Sequence, residues 1–481
     1  MDSFDRRPEF NHKTDDHKAE FDHKTEASGI GPLYIYDTTL RDGAQRAGIS
    51  FSVHDKVNIA RRLDEFGIHY VEGGWPGSNP KDSEFFEILK AQPLKKSILV
   101  SFGSTRRPGR RVEDDPSLQA ILKSETPACA IVGKSSKTHV TLGLCTTPEE
   151  NLSMIEESIR FAKEHGLTVI FDAEHFFDGF KEDPDYALKT LRAAEEGGAD
   201  FVTLCDTNGG TLPQEVVKAV EAAKGAISTR LGIHAHDDIG VAIANTLLAV
   251  TAGVSLIQGT INGYGERCGN ADLIAIIPNL ILKMGVRSLD HFPLAKITDL
   301  ARYVSEIANM PAQDAQPYAG RNAFTHKAGI HVSALMRHPS TYEHVDPARV
   351  GNSRRILVSE LSGKSNIISW LQGKAESLVP RSADDPAFPV RVVEKVKDLE
   401  YQGYQFEGAQ ASLELMILRL QEDYKPPFRL GSYRVLVGKR ESDSTFAEAT
   451  VSVFIGDRNV HTASEGDGPV NALDKALRKA L

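Results

Sequence analysis

Two short stretches carry residue types suited to metal-assisted chemistry at a carbonyl. One is Asp37-Thr38-Thr39-Leu40-Arg41-Asp42-Gly43-Ala44-Gln45, and the other is His234-Ala235-His236. Asp42 is a candidate oxygen ligand. Arg41 beside it is a permanent cation for a carboxylate or a developing oxyanion. Gly43 would let the backbone turn or approach a ligand closely. Taken alone, an Arg-Asp pair reads equally well as a surface ion pair. The His-x-His changes the balance, because imidazoles two residues apart on a strand point to one side.

Both stretches follow apolar runs that read as strands, Leu33-Tyr34-Ile35-Tyr36 and Leu231-Gly232-Ile233. A helix start near Ser52 and an apolar-periodic segment from Val57 to Phe66 follow the first. The candidate groups therefore sit at the C-terminal ends of strands, where parallel βα architectures place chemistry. Strand candidates begin at Leu33, Ile68, Ser97, Ala128, Leu167, Ala199, Leu231 and Ser255, with helical segments such as Asn151–Lys163, Tyr186–Glu195 and Gln214–Ala223 between them. This rhythm, sustained to about Met284, predicts an α/β fold of the (β/α)₈ (TIM) barrel type over residues 32–290. A doubly wound open sheet is the alternative. It is weaker because polar residues recur at nearly every strand end, as a closed ring of loops requires.

Those strand ends supply further candidates. Glu72, in Val71-Glu72-Gly73-Gly74-Trp75-Pro76-Gly77, is a candidate substrate-binding or positioning group, and Trp75 either walls a pocket or is a structural Trp in a Gly/Pro turn. Arg106 and Arg107 either meet an anionic substrate or face solvent. Lys134 and His139 are possible contacts. Asp172 and Glu174 alternate on a strand and would both enter the barrel mouth; a buried carboxylate near a cation is costly without function, which singles out Glu174. Thr207 and Asn208, after Asp206, would hold a carboxylate or cap a turn. In Asn262-Gly263-Tyr264-Gly265-Glu266-Arg267-Cys268-Gly269-Asn270, Asn270 is a candidate for a further oxygen ligand. Gly263 and Gly265 would let the backbone approach a large anionic group such as a CoA phosphate.

The chain has 481 residues, too many for one core, so two or three domains are expected. Its net charge of −10 argues against nucleic-acid binding. No apolar run approaches a membrane span, and no signal-peptide h-region is visible. The four cysteines are scattered without a CxxC pair, which fits a reduced cytoplasmic protein. Residues 1–31 read as a disordered, His-containing extension. Residues 291–400 read as helical linker and lid subdomains, with a polar insert from Asn322 to His331 whose His326 and His331 are lid candidates. Pro380, Pro386 and Pro389 mark a boundary at 372–400. Residues 401–481 read as a small α+β domain with strands at Tyr433–Val437 and Ala449–Ile455, suited to effector binding or dimerisation.

The chain resembles the isopropylmalate, homocitrate and citramalate synthases, metal-dependent TIM-barrel enzymes related to HMG-CoA lyase. The resemblance rests on Asp37–Gly43, on His234-Ala235-His236-Asp237-Asp238 and on Gly265–Asn270, three motifs in order at the right strand ends, and it covers residues 33–481. Gly73–Pro80 and Asn322–His331 look most like the citramalate synthase branch. The resemblance implies a divalent cation (Mn²⁺, Mg²⁺ or Zn²⁺) on Asp42, His234, His236 and Asn270. It implies Arg41 at the 2-oxo group, Glu174 as the pocket carboxylate and Thr207 on the 2-oxo acid's carboxylate. It implies His331, or alternatively His326, as the histidine of a neighbouring subunit's lid. The implied reaction condenses acetyl-CoA with pyruvate to citramalate, an acyltransferase step feeding isoleucine synthesis, in a homodimer with isoleucine as effector at the C-terminal domain. Other 2-oxo acids (2-oxoisovalerate, 2-oxoglutarate), a lyase running in reverse, and a non-catalytic amino-acid sensor are the competing readings.

Overall fold

The computed structural model describes residues 29–359, 361–372, 387–421, 424–439 and 444–481. The extension expected over 1–31 falls almost wholly outside the described residues, as does most of the boundary expected near Pro380 and Pro386. The described chain forms two compact units, residues 29–326 with 334–356, and residues 327–333 with 357–481.

The first unit is a closed barrel of eight parallel strands, β1 (Tyr34–Asp37), β2 (Tyr70–Gly74), β3 (Ile98–Ser104), β4 (Ala128–Lys134), β5 (Thr168–Glu174), β6 (Phe201–Asp206), β7 (Arg230–Ala235) and β8 (Leu256–Gly259). Each begins within two residues of its expected start. Parallel pairing demands a crossover at every step. The connections carry α1 (Val53–Phe66), α2 (Pro80–Ala91), α3 (Pro116–Lys123), α4 (Pro148–Glu164), α5 (Phe176–Glu182), α6 (Pro184–Glu196), α7 (Pro213–Ala226) and α8 (Ala242–Ala252). Local chemistry sets their ends. Ser52 and Asp55 form a capping box at the start of α1, and Gly67 ends it in the left-handed region at φ 99°. Proline opens α2, α3, α4, α6 and α7, where its missing N–H costs nothing.

The period-2 alternation of strands divides the barrel core into two layers. Ile35, Ile131, Val169, Val202 and Ile233 face outward and bury against the helices. Tyr36, Tyr70, Phe102, Ile170, Phe201 and Leu256 fill the interior. The same parity carries Glu72, Lys134, Asp172, Glu174, Cys205, His234 and Gln258 inward, above that plug. Register then places inward residues opposite one another: Lys134 faces Glu174, and His234 faces both Cys205 and Gln258.

At the opposite end of the barrel, the Ile35 N–H donates to His69 Nδ1 at 3.0 Å. Burial, and then the neighbouring His291, push His69 down to about 4. An unfolded histidine titrates near 6.5. Between about 6.5 and 4 the unfolded chain therefore binds a proton that the folded chain refuses, and stability falls as pH falls, by on the order of 2–3 kcal/mol. A His69→Asn variant, which keeps an acceptor and loses the titration, is expected to show a flatter decline of melting temperature from pH 7 to pH 4.5 than the native chain. Parallel declines would refute this.

Beyond β8 the first unit continues through α9 (Leu273–Leu282) and α10 (Ile297–Ile307) to a two-stranded pair, β9 (Thr325–His326) and β10 (Arg355–Ile356). It therefore runs past residue 290. The insert before β9 is a series of turns, since Pro311 and Pro317 interrupt any helix. Between β9 and β10 lies α11 (Gly329–Arg337). In the second unit, α12 (Lys364–Gln372), α13 (Phe388–Tyr401) and α14 (Gln410–Arg419) share a core of Val358, Ile367, Phe388, Val392, Val396 and Ile417. An antiparallel sheet follows, β11 (Arg429–Lys439), β12 (Thr445–Ile455) and β13 (Arg458–Gly466), with α15 (Pro469–Ala480) on one face. Small residues make that packing close, Ala447 and Ala449 against Ala472 and Ala476. The two expected strands are present, and β13 is additional. Its Arg-Asn-Val-His-Thr-Ala-Ser-Glu-Gly sequence lacks an apolar run, because an edge strand has few residues to bury.

Candidate active site

Asp42 lies just after β1, and His234 and His236 lie at and just beyond the end of β7. One ligand atom from each falls within 4.8 Å of the others. Asp42 Oδ2 is 3.4 Å from His234 Nε2 and 3.7 Å from His236 Nε2. All three side chains are buried.

The network behind His234 fixes which nitrogen faces this cluster. Asp172 only accepts, so the Gln258 amide turns its Nε2–H to Asp172 Oδ1 at 2.8 Å. Gln258 Oε1 then accepts from His234 Nδ1–H at 2.9 Å, leaving Nε2 as the lone-pair nitrogen beside the carboxylate. Asn270 is set beside the pair by an isolated backbone bridge to His236. Its Nδ2 donates to the Tyr264 carbonyl at 3.1 Å, and its Oδ1 is buried without a donor. Asp42 Oδ1 is likewise buried and unpartnered. Buried acceptors without donors are expensive and uncommon. The Asp42 carboxylate beside two imidazole nitrogens, with the unpartnered Asn270 amide oxygen on the segment bridged to His236, fits a divalent cation of the borderline type that takes mixed O/N ligands.

The electrostatics favour ligation. Burial pushes the Asp42 carboxyl up, but Arg41 and then His234 hold it well below the usual carboxylate range; without a metal that carboxylate in turn raises His234 against its burial, by a proton that a bound cation would displace. Burial and then His234 push His236 down to about 4, so it is a neutral donor at neutral pH. Asp172, buried and near Glu72, rises to about 6.

Arg41 is fixed from three sides. Its Nε donates to Glu72, its Nη1 reaches Asp42 Oδ2 at 3.4 Å, and its guanidinium lies 4.0 Å over the Phe102 ring. Glu72 is fully buried and also accepts from the hydroxyls of Tyr36 and Thr38.

Arg41, Asp42, Asp172, His234 and His236 face a cavity of about 440 Å³ at the C-terminal mouth of the barrel, whose apolar walls include Trp75, Phe102, Val132, Leu144 and Met154. Glu174, Thr207 and Lys134 line it as well. Lys134 ion-pairs with Glu174. Thr207 Oγ1 accepts from the His175 backbone N–H at 2.9 Å.

The barrel matches the HMGL-like family model over residues 32–304. Residues 319–380 match a homocitrate synthase post-HMGL domain, and residues 407–481 match a LeuA allosteric (dimerisation) domain. A curated (R)-citramalate synthase from Aquifex aeolicus is 51% identical over 454 residues, which is 93% of this chain and 85% of that protein. The chain belongs to the HMGL-like family, in its citramalate synthase branch. A probable 2-isopropylmalate synthase from Methanopyrus kandleri is further away, 30% identical over 93% of this chain and 85% of its own length. Among solved structures, an HMG-CoA lyase from Bacillus subtilis shares the barrel, with a TM-score of 0.52 and 20% identity over 62% of this chain and 98% of its own.

Arg41, Asp42, His234, His236, Glu174 and Thr207 line one cavity, and Asn270 is not among its lining residues. Glu72, expected among the substrate-binding groups, stands behind Arg41 and does not line the cavity. Gly263 and Gly265 do not line it either. A Cβ on Gly265 (φ 158°) would lie 2.1 Å from Asn270 Nδ2, so these glycines let the last loop fold over Asn270. His331 belongs to the second unit. His326 belongs to the first, where its Nε2 lies 3.2 Å from the buried Glu343, which Arg354 also grips. The two lid candidates are thus on separate units.

Gln258 escaped the sequence reading. Its signal was a lone amide inside the apolar run Leu256-Ile257-Gln258-Gly259, and a buried amide needs partners. Replacing it with Leu should free His234 to rotate and lower metal affinity about 10- to 100-fold. Titration calorimetry with Mn²⁺ checks this, and native affinity would refute it.

Proposed function

We propose that this chain condenses acetyl-CoA with pyruvate and hydrolyses the resulting thioester, releasing (R)-citramalate and CoA. The observation that supports the reading is the buried Asp42, His234 and His236 cluster with Arg41 beside it, in a chain half identical to a citramalate synthase over nearly its whole length. Asp42, His234, His236 and Asn270 would hold a divalent cation, Mn²⁺, Mg²⁺ or Zn²⁺. When bound, such an ion supplies a Lewis acid for the keto and carboxylate oxygens of the 2-oxo acid.

Arg41 is held by Glu72 and Phe102 before substrate arrives, so it stabilises the developing oxyanion without reorganising. The Thr207 hydroxyl oxygen is engaged by His175 N–H, which leaves its hydrogen for the substrate carboxylate. Lys134 holds Glu174 at the cavity wall through their ion pair. We assign Glu174, with His331 from a neighbouring subunit, to removal of the acetyl methyl proton. The apolar wall of Trp75, Phe102 and Val132 suits a small side chain such as the methyl of pyruvate.

The C-terminal domain's family match supports a regulated dimer. Isoleucine is the proposed effector there. A cytoplasmic location is proposed from the four unpaired cysteines; among the described residues, no helix is long and apolar enough to cross a membrane.

The test is release of free thiol from acetyl-CoA with pyruvate, 2-oxobutyrate, 2-oxoisovalerate or 2-oxoglutarate, with and without chelator. Chelator-sensitive release, fastest with pyruvate, is expected. Preference for a larger acid would move the chain to another branch, and no release with any acid would leave the sensor reading.

A further inference from the structure

Besides the two histidines, the cavity is lined by the cations Arg41, Arg106, Arg107, Lys134 and Arg267. Four of them are committed to carboxylates. Arg41 holds Glu72 and Asp42, and Lys134 holds Glu174. Arg267 grips Asp238 with Nε at 2.8 Å and Nη2 at 2.9 Å. Arg106 is buried and bridges Glu150 at 2.7 Å and Glu157 at 2.6 Å. Arg107 alone among these has no carboxylate partner among the described residues, and it is exposed at the rim.

The loop that carries it is built to be rigid. The Arg106 N–H donates to Ser158 Oγ at 2.9 Å, and the Arg107 N–H donates to Asp115 Oδ2 at 3.0 Å. Asp115 is fully buried and also caps α3 through the Ser117 N–H at 2.9 Å. The Gly109 N–H donates to Glu150 Oε1 at 3.0 Å, and the Arg110 N–H closes a turn on the Arg107 carbonyl. Thr105-Arg106-Arg107-Pro108-Gly109-Arg110-Arg111 holds four arginines and no acid. Arg111 pairs with Glu113 and Arg110 reaches the Asp114 carbonyl, both away from the cavity lining. A cavity-lining guanidinium without a carboxylate on a pinned basic turn is preorganised for an anion, and it loses little freedom on binding one.

We infer that Arg107 binds a phosphate of the CoA nucleotide, so that the acyl donor crosses the cavity rim over the loop after β3. Position argues for this group over the 2-oxo acid. Strand β3 lies opposite β7 in the ring, so Arg107 is on the wall facing the His234–His236 side. The 2-oxo acid's anionic end is already served by Arg41, Thr207 and the metal ligands. A thioester brought to that end must trail its pantetheine and nucleotide outward to the rim, and Arg107 is the exposed cavity-lining cation there with no carboxylate partner among the described residues.

The inference rests on the acetyl-CoA reading of the cavity. In the full-length enzyme, Arg107→Ala is expected to raise KM for acetyl-CoA about 10- to 100-fold, the range of one charge-assisted contact, with KM for pyruvate unmoved. Rescue by Arg107→Lys should be partial. With S-acetylpantetheine, which lacks the nucleotide phosphates, the ratio of native to variant kcat/KM should shrink to near one. 3′-Dephospho-acetyl-CoA tells the 3′-phosphate from the pyrophosphate. A defect that persists with S-acetylpantetheine, a shift confined to pyruvate, or an unchanged KM for acetyl-CoA would each overturn the inference. Calorimetric binding of CoA to native and variant protein separates its failure from failure of the proposed reaction. Equal affinities refute the role of Arg107 even in a chain that turns over nothing, and weaker binding in the variant supports it.

Discussion

Asp42→Ala is expected to abolish metal binding and turnover together while the barrel still folds. The carboxylate is the only anionic member of the ligand set, and its Oδ1 is buried with no other donor to satisfy it. Without it, two imidazoles and a carboxamide would be left to hold a cation, and Arg41 would lose the carboxylate that lies 3.4 Å from it. Turnover should fall by at least about 10³-fold, since both the Lewis acid and the position of the keto oxygen are lost. Folding should survive, because Arg41 keeps its buried partner Glu72. A second readout does not depend on catalysis. Metal at about 100 times its Kd should stabilise the native protein by roughly 2.7 kcal/mol. The variant's melting temperature should not respond to metal. Normal turnover, or a native metal-dependent rise in melting temperature, would remove Asp42 from the site.

The second large effect is expected at Arg41, and lysine is the informative replacement. It keeps the charge but loses the planar fork that donates to Glu72 and Asp42 and stacks on Phe102. Arg41→Lys should lower kcat by about 10²- to 10³-fold, the range for one misplaced oxyanion donor. Metal affinity should change much less, since no ligand is removed. Breaking a buried pair also leaves Glu72 without its guanidinium, at up to roughly 3–5 kcal/mol. A lower melting temperature should therefore accompany the kinetic loss, and a Glu72→Gln variant should show the same fall in kcat through a mobile Arg41. Activity within twofold of native in Arg41→Lys would place Arg41 outside the chemistry.

The contrast between Arg106 and Arg107 shows where local reading stops. Both are arginines in one turn, and the sequence offers each the same choice between substrate and solvent. Only the packing of α4 beside the turn brings Glu150 and Glu157 onto Arg106, 44 and 51 residues away, and leaves its neighbour uncommitted. Glu72 illustrates the same limit. Its pairing with Arg41 bridges adjacent strands, and nothing within a few residues announces it.

What the sequence determined by itself is what short-range periodicity encodes. Alternation along a strand is a local property, so the eight strands, their starts and the inward parity of Glu72, Asp172, Glu174 and His234 follow from residue types alone. The candidate ligands are legible too, because Asp42, His234, His236 and Asn270 are ligand-type side chains at or after the C-terminal ends of strands. The tertiary structure decided which inward groups meet. Closing the ring fixed the register that sets Lys134 against Glu174 and Gln258 against His234. It turned Glu72 into a support for Arg41, folded Gly263 and Gly265 over Asn270, and left Arg107 free. Pairing across the barrel depends on strand register and loop packing between segments tens to hundreds of residues apart, and no local pattern specifies those distances.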